Sequence, residues 1–217
     1  MVKSIVIVGG SSDIAKSTIS SISTENYKFH ALVRDDSHTD ELSDLGVNVI
    51  LGDATSEEDI KNFISGVKES GEIHAILHCV GSFAVRPPHA MNKEAFEAVI
   101  STNLTSAFLT LSIAGKAMLS QGHGRMVFMS SVAGSLGLVN HEAISAAKGG
   151  IESMVRSAAA TYANRGLRIN AVAPGLTDTK LASPIMSNET ASQAASQKIP
   201  IKRVGSKEEV ANVIKWL

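Results

Sequence analysis

A histidine and a lysine in the second half of the chain have side chains and a spacing that could support proton transfer. His141 and Lys148 are seven residues apart, which on an α-helix is two turns and about 10.5 Å along one face. A histidine whose pKa lies near neutrality can donate or accept a proton at pH 7, and Asn140 or Glu142 could orient its ring. A histidine at a helix start is also often only a surface or capping residue, and the spacing leaves both interpretations open.

Small residues follow the first apolar run and precede a helical pattern, in the order Gly9-Gly10-Ser11-Ser12-Asp13-Ile14-Ala15. A tight turn of small residues lets backbone N–H groups approach a pyrophosphate, and the N-terminus of the following helix favours the anion. Asp13 could repel a phosphate, or it could cap the helix together with the serines. The segment predicts a dinucleotide-binding turn, with a plain strand-to-helix turn as the alternative.

The second apolar run ends with charged residues that could select the dinucleotide, in the order Leu32-Val33-Arg34-Asp35-Asp36. A carboxylate at the tip of this strand would bind the adenosine ribose hydroxyls of NAD, whereas an arginine would pair with the 2′-phosphate of NADP. Arg34 therefore favours NADP. The alternative is that Arg34 is a solvated loop charge and that Asp35 binds the ribose of NAD.

Apolar, β-branched runs alternate with helical patterns along the chain, which indicates βαβ units and an α/β fold with a doubly wound, Rossmann-like parallel sheet. The predicted strands are Ser4–Val8, Phe29–Val33, Val47–Leu51, Ala75–Cys79, Arg125–Met129 and Arg168–Ala173. The predicted helices are Asp13–Ser23, Ser56–Ser70, Asn92–Ser120 and His141–Asn164. The third of these is too long for one ordinary helix, so a break is expected near Ser101-Thr102-Asn103. The strands show almost no polar alternation, as expected where helices cover both faces of a sheet.

The 217 residues contain no repeat, low-complexity segment or linker, so one domain is predicted over residues 1–217. Thr177–Gln197 is rich in Ser, Ala, Thr and Asn with weak periodicity, and we expect a flexible flap there that covers a substrate. Its apolar residues that could line a cleft include Leu181, Ile185 and Met186. Ser206-Lys207-Glu208-Glu209 opens a helix that continues to the last residue of the sequence.

Three further segments resemble motifs of the short-chain dehydrogenase/reductase family in type, order and spacing. They are Asn103-Leu104-Thr105-Ser106-Ala107-Phe108, Met129-Ser130-Ser131-Val132-Ala133-Gly134, and Asn170-Ala171-Val172-Ala173-Pro174-Gly175-Leu176-Thr177 with Thr179. The resemblance spans essentially the whole chain, without the family's last strand, and implies an NAD(P)(H)-dependent oxidoreductase that interconverts a carbonyl and an alcohol. It implies that Ser131 holds the substrate oxygen, Lys148 binds the nicotinamide ribose and Asn103 holds a proton-relay water.

The same resemblance implies a coenzyme site. The residues that it assigns to coenzyme binding are Gly9, Ser11, Ser12, Ile14, Arg34, Asp53, Gly81, Lys148, Pro174, Gly175 and Thr177. The family's ribose-binding acid matches Val33, which cannot bind a ribose, so NADP is preferred and NAD stays possible. Asp53 could equally be a helix cap. The turn departs from the family pattern because Asp13 and Ala15 stand where glycines are usual.

The family's catalytic tyrosine is missing. Its spacing, 13 residues after Ser131 and four before Lys148, leads on both counts to Ile144, which cannot carry a proton. The enoyl-reductase branch of the family has Tyr-x6-Lys with an apolar residue at the usual tyrosine position, and His141 stands in that frame. We expect His141, or a water linked to Lys148, to supply the proton. Reduction of an enoyl double bond, and a non-catalytic relative that binds the dinucleotide as a sensor or interaction subunit, remain alternatives.

The composition limits the kinds of partner and the location that are expected. The net charge of -1 gives no reason to expect nucleic acid, and no apolar run approaches the roughly 20 residues of a membrane span. Cys79 is the only cysteine, which favours a reducing, cytoplasmic location, and His78 has no second metal-type residue spaced with it. The resemblance implies a homodimer or homotetramer. The small-residue faces expected at that interface include Ala107, Ile113, Ala114, Ala158 and Ala159.

Overall fold

Six parallel strands form one sheet in a computed structural model that describes residues 3–23 and 25–217. The strands are β1 Lys3–Val8, β2 Tyr27–Val33, β3 Val47–Leu51, β4 Ile73–His78, β5 Gly124–Met129 and β6 Leu167–Val172. Their order is β3-β2-β1-β4-β5-β6, and every neighbouring pair is parallel. The Rossmann-like fold class is therefore confirmed, and each predicted strand is present with ends that differ by at most two residues.

The strands are buried on both faces because helices cover both sides of the sheet. In β1, Val6 and Val8 pack into one hydrophobic cluster, whereas Ile5 and Ile7 pack into the other. Successive side chains of a strand point to opposite faces, so one uninterrupted apolar run supplies both cores. This explains why the strands are recognisable without polar alternation.

Nine helices are described, and six of them form the two layers that cover the sheet. The nine are α1 Asp13–Ser21, α2 Thr39–Asp44, α3 Glu57–Ser70, α4 Lys93–Ile100, α5 Ser106–Leu119, α6 Glu142–Tyr162, α7 Ser183–Met186, α8 Glu189–Lys198 and α9 Lys207–Trp216. Residues of α3, α5 and α6 form the core on one face, and residues of α1, α2 and α9 form it on the other. The predicted start of α9 is confirmed, since Ser206 and Glu209 form a reciprocal capping box there.

The predicted break near Ser101-Thr102-Asn103 is present as an interruption of the α-helix, but it is a π-helical turn and not a gap between two helices. The chain stays helical from α4 into α5 and widens into a π-helical turn at Ser101–Thr105. Lys93–Leu119 is long and apolar enough to cross a membrane by length and composition alone, but α4 packs on α6 and α5 packs on α3 within the fold. Single π-helical turns occur frequently at functional sites, and this one carries Asn103.

The predicted flap contains helices that its weak periodicity did not indicate. Both α7 and α8 lie in it, and no residue of α8 is buried. The start of the flap is held by two backbone hydrogen bonds, from the Asp178 N–H to the Gly205 carbonyl and from the Gly205 N–H to the Leu176 carbonyl, each 2.9 Å long. The flap therefore leaves the sheet after β6 and returns beside its own starting point before α9.

The strand order reverses between β1 and β4. In open α/β sheets, ligands bind outside the carboxyl ends of the strands at such a switch point. Gly9 follows β1 and Gly81 follows the end of β4. The fold thus brings the predicted coenzyme turn and the residues after β4 to one edge of the sheet.

Candidate active site

Lys148 is a buried amine at the carboxyl end of the sheet. It lies on α6, and its Nζ donates a hydrogen bond to the Met129 carbonyl at the end of β5, over 2.8 Å. Burial lowers the pKa of Lys148 from 10.5 to about 8, because the ammonium loses its hydration there. The side chain is a cation at pH 7 that can release its proton near physiological pH.

Asn103 faces the same space from the π-helical turn. Its Nδ2 donates to the Val99 carbonyl and to Ser82 Oγ, both at 2.9 Å, and its Oδ1 accepts from the Ser82 N–H at 3.3 Å. A methyl group on Gly81 would lie 3.4 Å from Asn103 Oδ1 and 3.6 Å from Lys148 Nζ. Gly81 therefore leaves open a small space bordered by both side chains.

Ser131 lies at the end of β5, beside the helix that carries Lys148. Its Oγ accepts a hydrogen bond from the Ala133 N–H at 3.2 Å, so the hydroxyl hydrogen remains available to a substrate oxygen. The neighbouring Ser130 Oγ lies 3.1 Å from the Lys148 carbonyl oxygen and 2.9 Å from Glu152 Oε1, and its one hydrogen is shared between these two acceptors. These bonds fix the end of β5 against α6, and with it the position of Ser131 relative to Lys148.

His141 immediately precedes α6, which begins at Glu142 rather than at the predicted His141. Its Nδ1 lies 2.7 Å from the Val139 carbonyl oxygen. Since a carbonyl only accepts, Nδ1 carries the hydrogen and Nε2 is the nitrogen that can exchange a proton. Asn140, with a left-handed φ of 63°, makes the turn immediately before His141.

Ile144 closes the position at which the family has tyrosine. Its side chain is 8% exposed and belongs to an apolar cluster with Val99, Ala133 and Ala147. No group on this side chain can donate a hydrogen bond. Proton transfer at the site must therefore involve another residue or a water.

The turn after β1 fits a pyrophosphate. Gly9 has a φ of +87°, and a methyl group there would lie 2.9 Å from the Val80 backbone nitrogen. Only glycine accommodates that conformation and that close approach. The turn leads into the N-terminus of α1, where Ser12 and Ile14 flank the first helical residue. The backbone can thus approach an anion closely, as a dinucleotide requires.

The residues after β2 favour one of the two coenzyme interpretations. Val33 is buried, and Arg34 is exposed at the strand end. Asp35 Oδ1 accepts hydrogen bonds from both the hydroxyl and the backbone N–H of Ser37, and these bonds lower the pKa of Asp35. Asp35 is thus held in its own turn through Oδ1, with Oδ2 left open, and Arg34 is an exposed cation beside it.

Other residues assigned to the coenzyme hold local turns. Asp53 Oδ1 accepts from the Thr55 N–H at 2.7 Å and from its hydroxyl at 2.8 Å, which lowers the pKa of Asp53. Thr177 Oγ1 donates to the Gly175 carbonyl at 3.1 Å. Asp53 is not a helix cap, because the N-cap of α3 is Ser56; it closes a local turn onto Thr55, and its other carboxylate oxygen remains open to a ligand.

Two polar residues near the end of β4 are not in the predicted site. His78 is fully buried, its Nε2 lies 3.0 Å from Ser106 Oγ, and burial lowers its pKa to about 3. Ser106 in turn donates to the Thr102 carbonyl at 2.6 Å, so a neutral His78 supports the π-helical turn. Burial raises the pKa of Cys79 to about 12, which makes it an inert thiol.

Asp13 has a contact that sequence reasoning missed. Its carboxylate does not cap α1; Oδ2 accepts a hydrogen bond from the Lys180 N–H at 2.6 Å. The two residues are 167 positions apart, and no local pattern signals their contact. The departure from glycine at position 13 is the one signal that pointed to something unusual.

The chain matches the protein-family model described as "Enoyl-(Acyl carrier protein) reductase" over residues 9–217. It is 31% identical over 216 residues to 3-oxoacyl-[acyl-carrier-protein] reductase MabA of Mycobacterium tuberculosis, covering 99% of this chain and 85% of the relative. It is 36% identical over 167 residues to cis-4-hydroxycyclohexanecarboxylate dehydrogenase of Sinomonas cyclohexanicum, covering 76% of this chain and 66% of that protein.

Solved structures have the same architecture. The crystal structure of gox2181 has a TM-score of 0.92 at 26% identity, covering all of this chain and 88% of that one. The structure of ElxO with NADP bound also has a TM-score of 0.92, at 25% identity, covering all of this chain and 91% of that one. Both similarities extend over the entire sheet and its helices.

Proposed function

The chain belongs to the short-chain dehydrogenase/reductase family, and we propose that it is an NADP(H)-dependent oxidoreductase that interconverts a carbonyl and an alcohol on a small molecule. The observation that carries this proposal is the convergence of Lys148, Asn103 and Gly81 at the carboxyl ends of the strands. The bound coenzyme supplies or accepts the hydride at the substrate carbon.

The residues of the chain divide the remaining work. Ser131 donates its free hydroxyl hydrogen to the substrate oxygen, which positions the carbonyl. Lys148 binds the nicotinamide ribose through its ammonium, and Asn103 holds a water in the space beside Gly81. His141 supplies the proton through Nε2 in its imidazolium form, because Nδ1–H is already bonded to Val139.

Exposed apolar side chains lie on the segments that follow the strands at this edge of the sheet, and they favour an apolar substrate. They follow the ends of β4, β5 and β6, and the exposed ones are Phe83, Val85, Leu136, Leu138, Val139 and Leu181. The Arg86 N–H donates to the Asn140 carbonyl at 2.8 Å, which joins the segment after β4 to the segment after β5. Exposed apolar patches of this kind usually bind a ligand or partner.

A substrate screen tests the proposed function. Purified protein is mixed with NADPH or NADH and a panel of ketones that differ in size and charge, and loss of reduced-coenzyme absorbance is followed. We expect turnover with NADPH and an uncharged, apolar ketone, and weaker turnover with ketones that carry a carboxylate or a phosphate. Binding of NADPH without turnover of any carbonyl or enoyl compound would contradict the proposal.

Enoyl reduction is the second candidate reaction. It is favoured by the His141-x6-Lys148 spacing and by the description of the matching family model. An α,β-unsaturated thioester in the same screen distinguishes the two reactions, because the product is a saturated thioester rather than an alcohol.

Coenzyme preference gives the first prediction. Arg34→Ala is expected to weaken NADPH binding by about 1.5–3 kcal/mol, the range for a charge-assisted hydrogen bond, with little change for NADH. The matched control is Arg165→Ala, which removes an exposed cation after α6. Fluorescence titration of both coenzymes measures the difference. Equal affinity of the unmutated protein for NADPH and NADH would contradict the assignment.

Assembly gives the second prediction. Ala107, Ala114 and Ala158 are buried inside the chain itself, so they cannot form an interface, whereas Ile113 and Ala159 are partly exposed and remain candidates. Phe96 on α4 and Phe108 on α5 are exposed instead, by 41% and 54%. We propose a dimer or tetramer that covers this face, as the resemblance implies, in a cytoplasmic setting that suits the single thiol.

Light scattering at micromolar concentration is expected to report at least a dimer. Phe108→Glu is expected to shift the population to monomer, because the charge would have to be buried. Ile201→Glu, at an exposed apolar residue between α8 and α9, should leave the mass unchanged. A monomeric unmutated protein argues against this interface.

A further inference from the structure

Asp13 connects two segments that are distant in sequence. Its Oδ2 accepts a 2.6 Å hydrogen bond from the backbone N–H of Lys180. Lys180 begins a short helical turn that leads into α7, and this turn is the first one in the flap. Asp13 is the first residue of α1, directly after the coenzyme turn. One carboxylate thus joins the flap to the pyrophosphate end of the proposed site.

The carboxylate of Asp13 is held from its other side. Lys16 Nζ lies 3.5 Å from Asp13 Oδ1 and 2.9 Å from Glu41 Oε2 on α2. The side chains of Asp13 and Lys16 are only 11% and 10% exposed. Sheltered charges interact more strongly than surface pairs, so Lys16 fixes the direction in which Asp13 presents its free oxygen.

The flap has further bonds immediately before this point. The backbone of Leu176 and Asp178 pairs with Gly205, and Thr179 alone separates that pairing from Lys180. The bond to Asp13 therefore fixes the direction in which the flap leaves the sheet. Without it, the Lys180 N–H would lose this charge-assisted partner, and the first turn of the flap would be held only through its neighbours.

We propose that Asp13 is a positioning residue that ties the flap to the coenzyme-binding turn and so keeps the flap in place over the substrate. The inference rests on the proposed function, because it takes the turn after β1 as the coenzyme site and the flap as the substrate cover. A glycine at this position has no side chain that could make the bond. The departure from the family pattern is on this view a gain of a flap anchor.

Removal of Asp13 should have opposite effects on the two ligands. The flap would spend less time in the position seen here. The apparent affinity for substrate falls in proportion to the fraction of molecules whose flap is in that position. A carboxylate close to a pyrophosphate repels it, so coenzyme affinity stays the same or increases. General damage to the fold would weaken both ligands together.

The experiment compares Asp13→Ala and Asp13→Asn in the full chain. Hydrogen–deuterium exchange of the peptide over residues 178–186 is measured without coenzyme, which makes the readout independent of activity. Exchange is expected to accelerate about ten-fold in Asp13→Ala and to stay close to the unmutated rate in Asp13→Asn, whose amide oxygen can still accept the bond. The substrate KM of Asp13→Ala should increase about ten-fold, with kcat within about two-fold and NADPH affinity not reduced.

Glu208→Ala is the matched control. Glu208 is also a first-turn carboxylate, on α9, and it lines the same open cavity as Asp13, Lys16 and Lys180. It should leave exchange and KM unchanged. Unchanged exchange over residues 178–186 in Asp13→Ala, or a parallel loss of coenzyme and substrate affinity, overturns the proposal. If no substrate is turned over, the proposed function fails, and the exchange comparison still decides whether Asp13 anchors the flap.

Discussion

Turnover of a carbonyl substrate is expected to fall about 10²–10⁴-fold when His141 is replaced by alanine, the range for loss of a general acid. The Val139 carbonyl holds Nδ1–H and leaves Nε2 as the exchangeable site, and Ile144 offers no proton where the family has a tyrosine. NADPH affinity should change little, because His141 is proposed to act on the substrate oxygen. Steady-state kinetics and coenzyme titration of the same preparation measure both effects.

The control for this prediction is His89→Ala, which removes an exposed histidine from the short turn before α4. It should behave like the unmutated protein. Normal turnover of His141→Ala would move the proton route to a water between Lys148 and Asn103. Gly81→Ala then becomes the decisive variant, because its methyl group would fill that space at 3.4 Å from Asn103 Oδ1 without a clash.

The sheet could be predicted because its physics is local and repetitive. Each strand must be apolar on both faces, as Ile5, Val6, Ile7 and Val8 are in β1, and each such run is followed by a helical pattern. Strand ends differ by one or two residues, since they depend on neighbouring strands. Tyr27 and Lys28, for example, extend β2 through their pairing with β1.

The π-helical turn and the flap helices depend on features that local periodicity does not express. Asn103 donates to the Val99 carbonyl one turn before it and to Ser82 on another segment. The bond to Ser82 depends on tertiary structure, so the sequence alone does not distinguish a widened turn from a break. The helix α8 has no buried residue, and its one clear signal is Asn188, whose side chain accepts from the Ala191 N–H. Because the flap has no apolar stripe, its helices could not be predicted from periodicity.

Some features of the candidate site could likewise be predicted from the sequence, and others could not. Lys148 and Asn103, which the family spacing assigns to the site, both lie beside Gly81 at one edge of the sheet, and their roles stay a prediction. Contacts between distant segments could not be predicted from one sequence. The bond from Lys180 to Asp13 and the support of the π-helical turn by His78 both depend on tertiary structure.

Lys148→Met is expected to reduce turnover by at least about 10²-fold and, at pH 7, to make the protein more stable. The variant loses the ammonium that is proposed to bind the ribose, while methionine fills a similar volume. In the unmutated protein the buried ammonium is unfavourable, as the reduction of its pKa from 10.5 to about 8 shows. That shift corresponds to about 3 kcal/mol at pH 7, and loss of the hydrogen bond to Met129 offsets about 1 kcal/mol of it.

The pH dependence of this difference has a definite sign. Below pH 8 the lysine is charged in both the folded and the unfolded state, so the full cost of burying the charge is present. Between pH 8 and 10.5 the folded protein has released the proton while the unfolded chain still binds it, so the stability of the unmutated protein increases with pH. The stability advantage of Lys148→Met should therefore be largest near pH 7 and shrink towards pH 10.

Urea denaturation at pH 7 and pH 10 measures the stability difference between Lys148→Met and the unmutated protein and its change with pH. Lys61→Met on the exposed side of α3 is the control, and its stability relative to the unmutated protein should not depend on pH in this way. A Lys148→Met protein that is less stable at pH 7, or whose difference does not change between the two pH values, contradicts the assignment of a strained, buried ammonium. An inactive but more stable variant would show that Lys148 is kept for chemistry at the expense of stability.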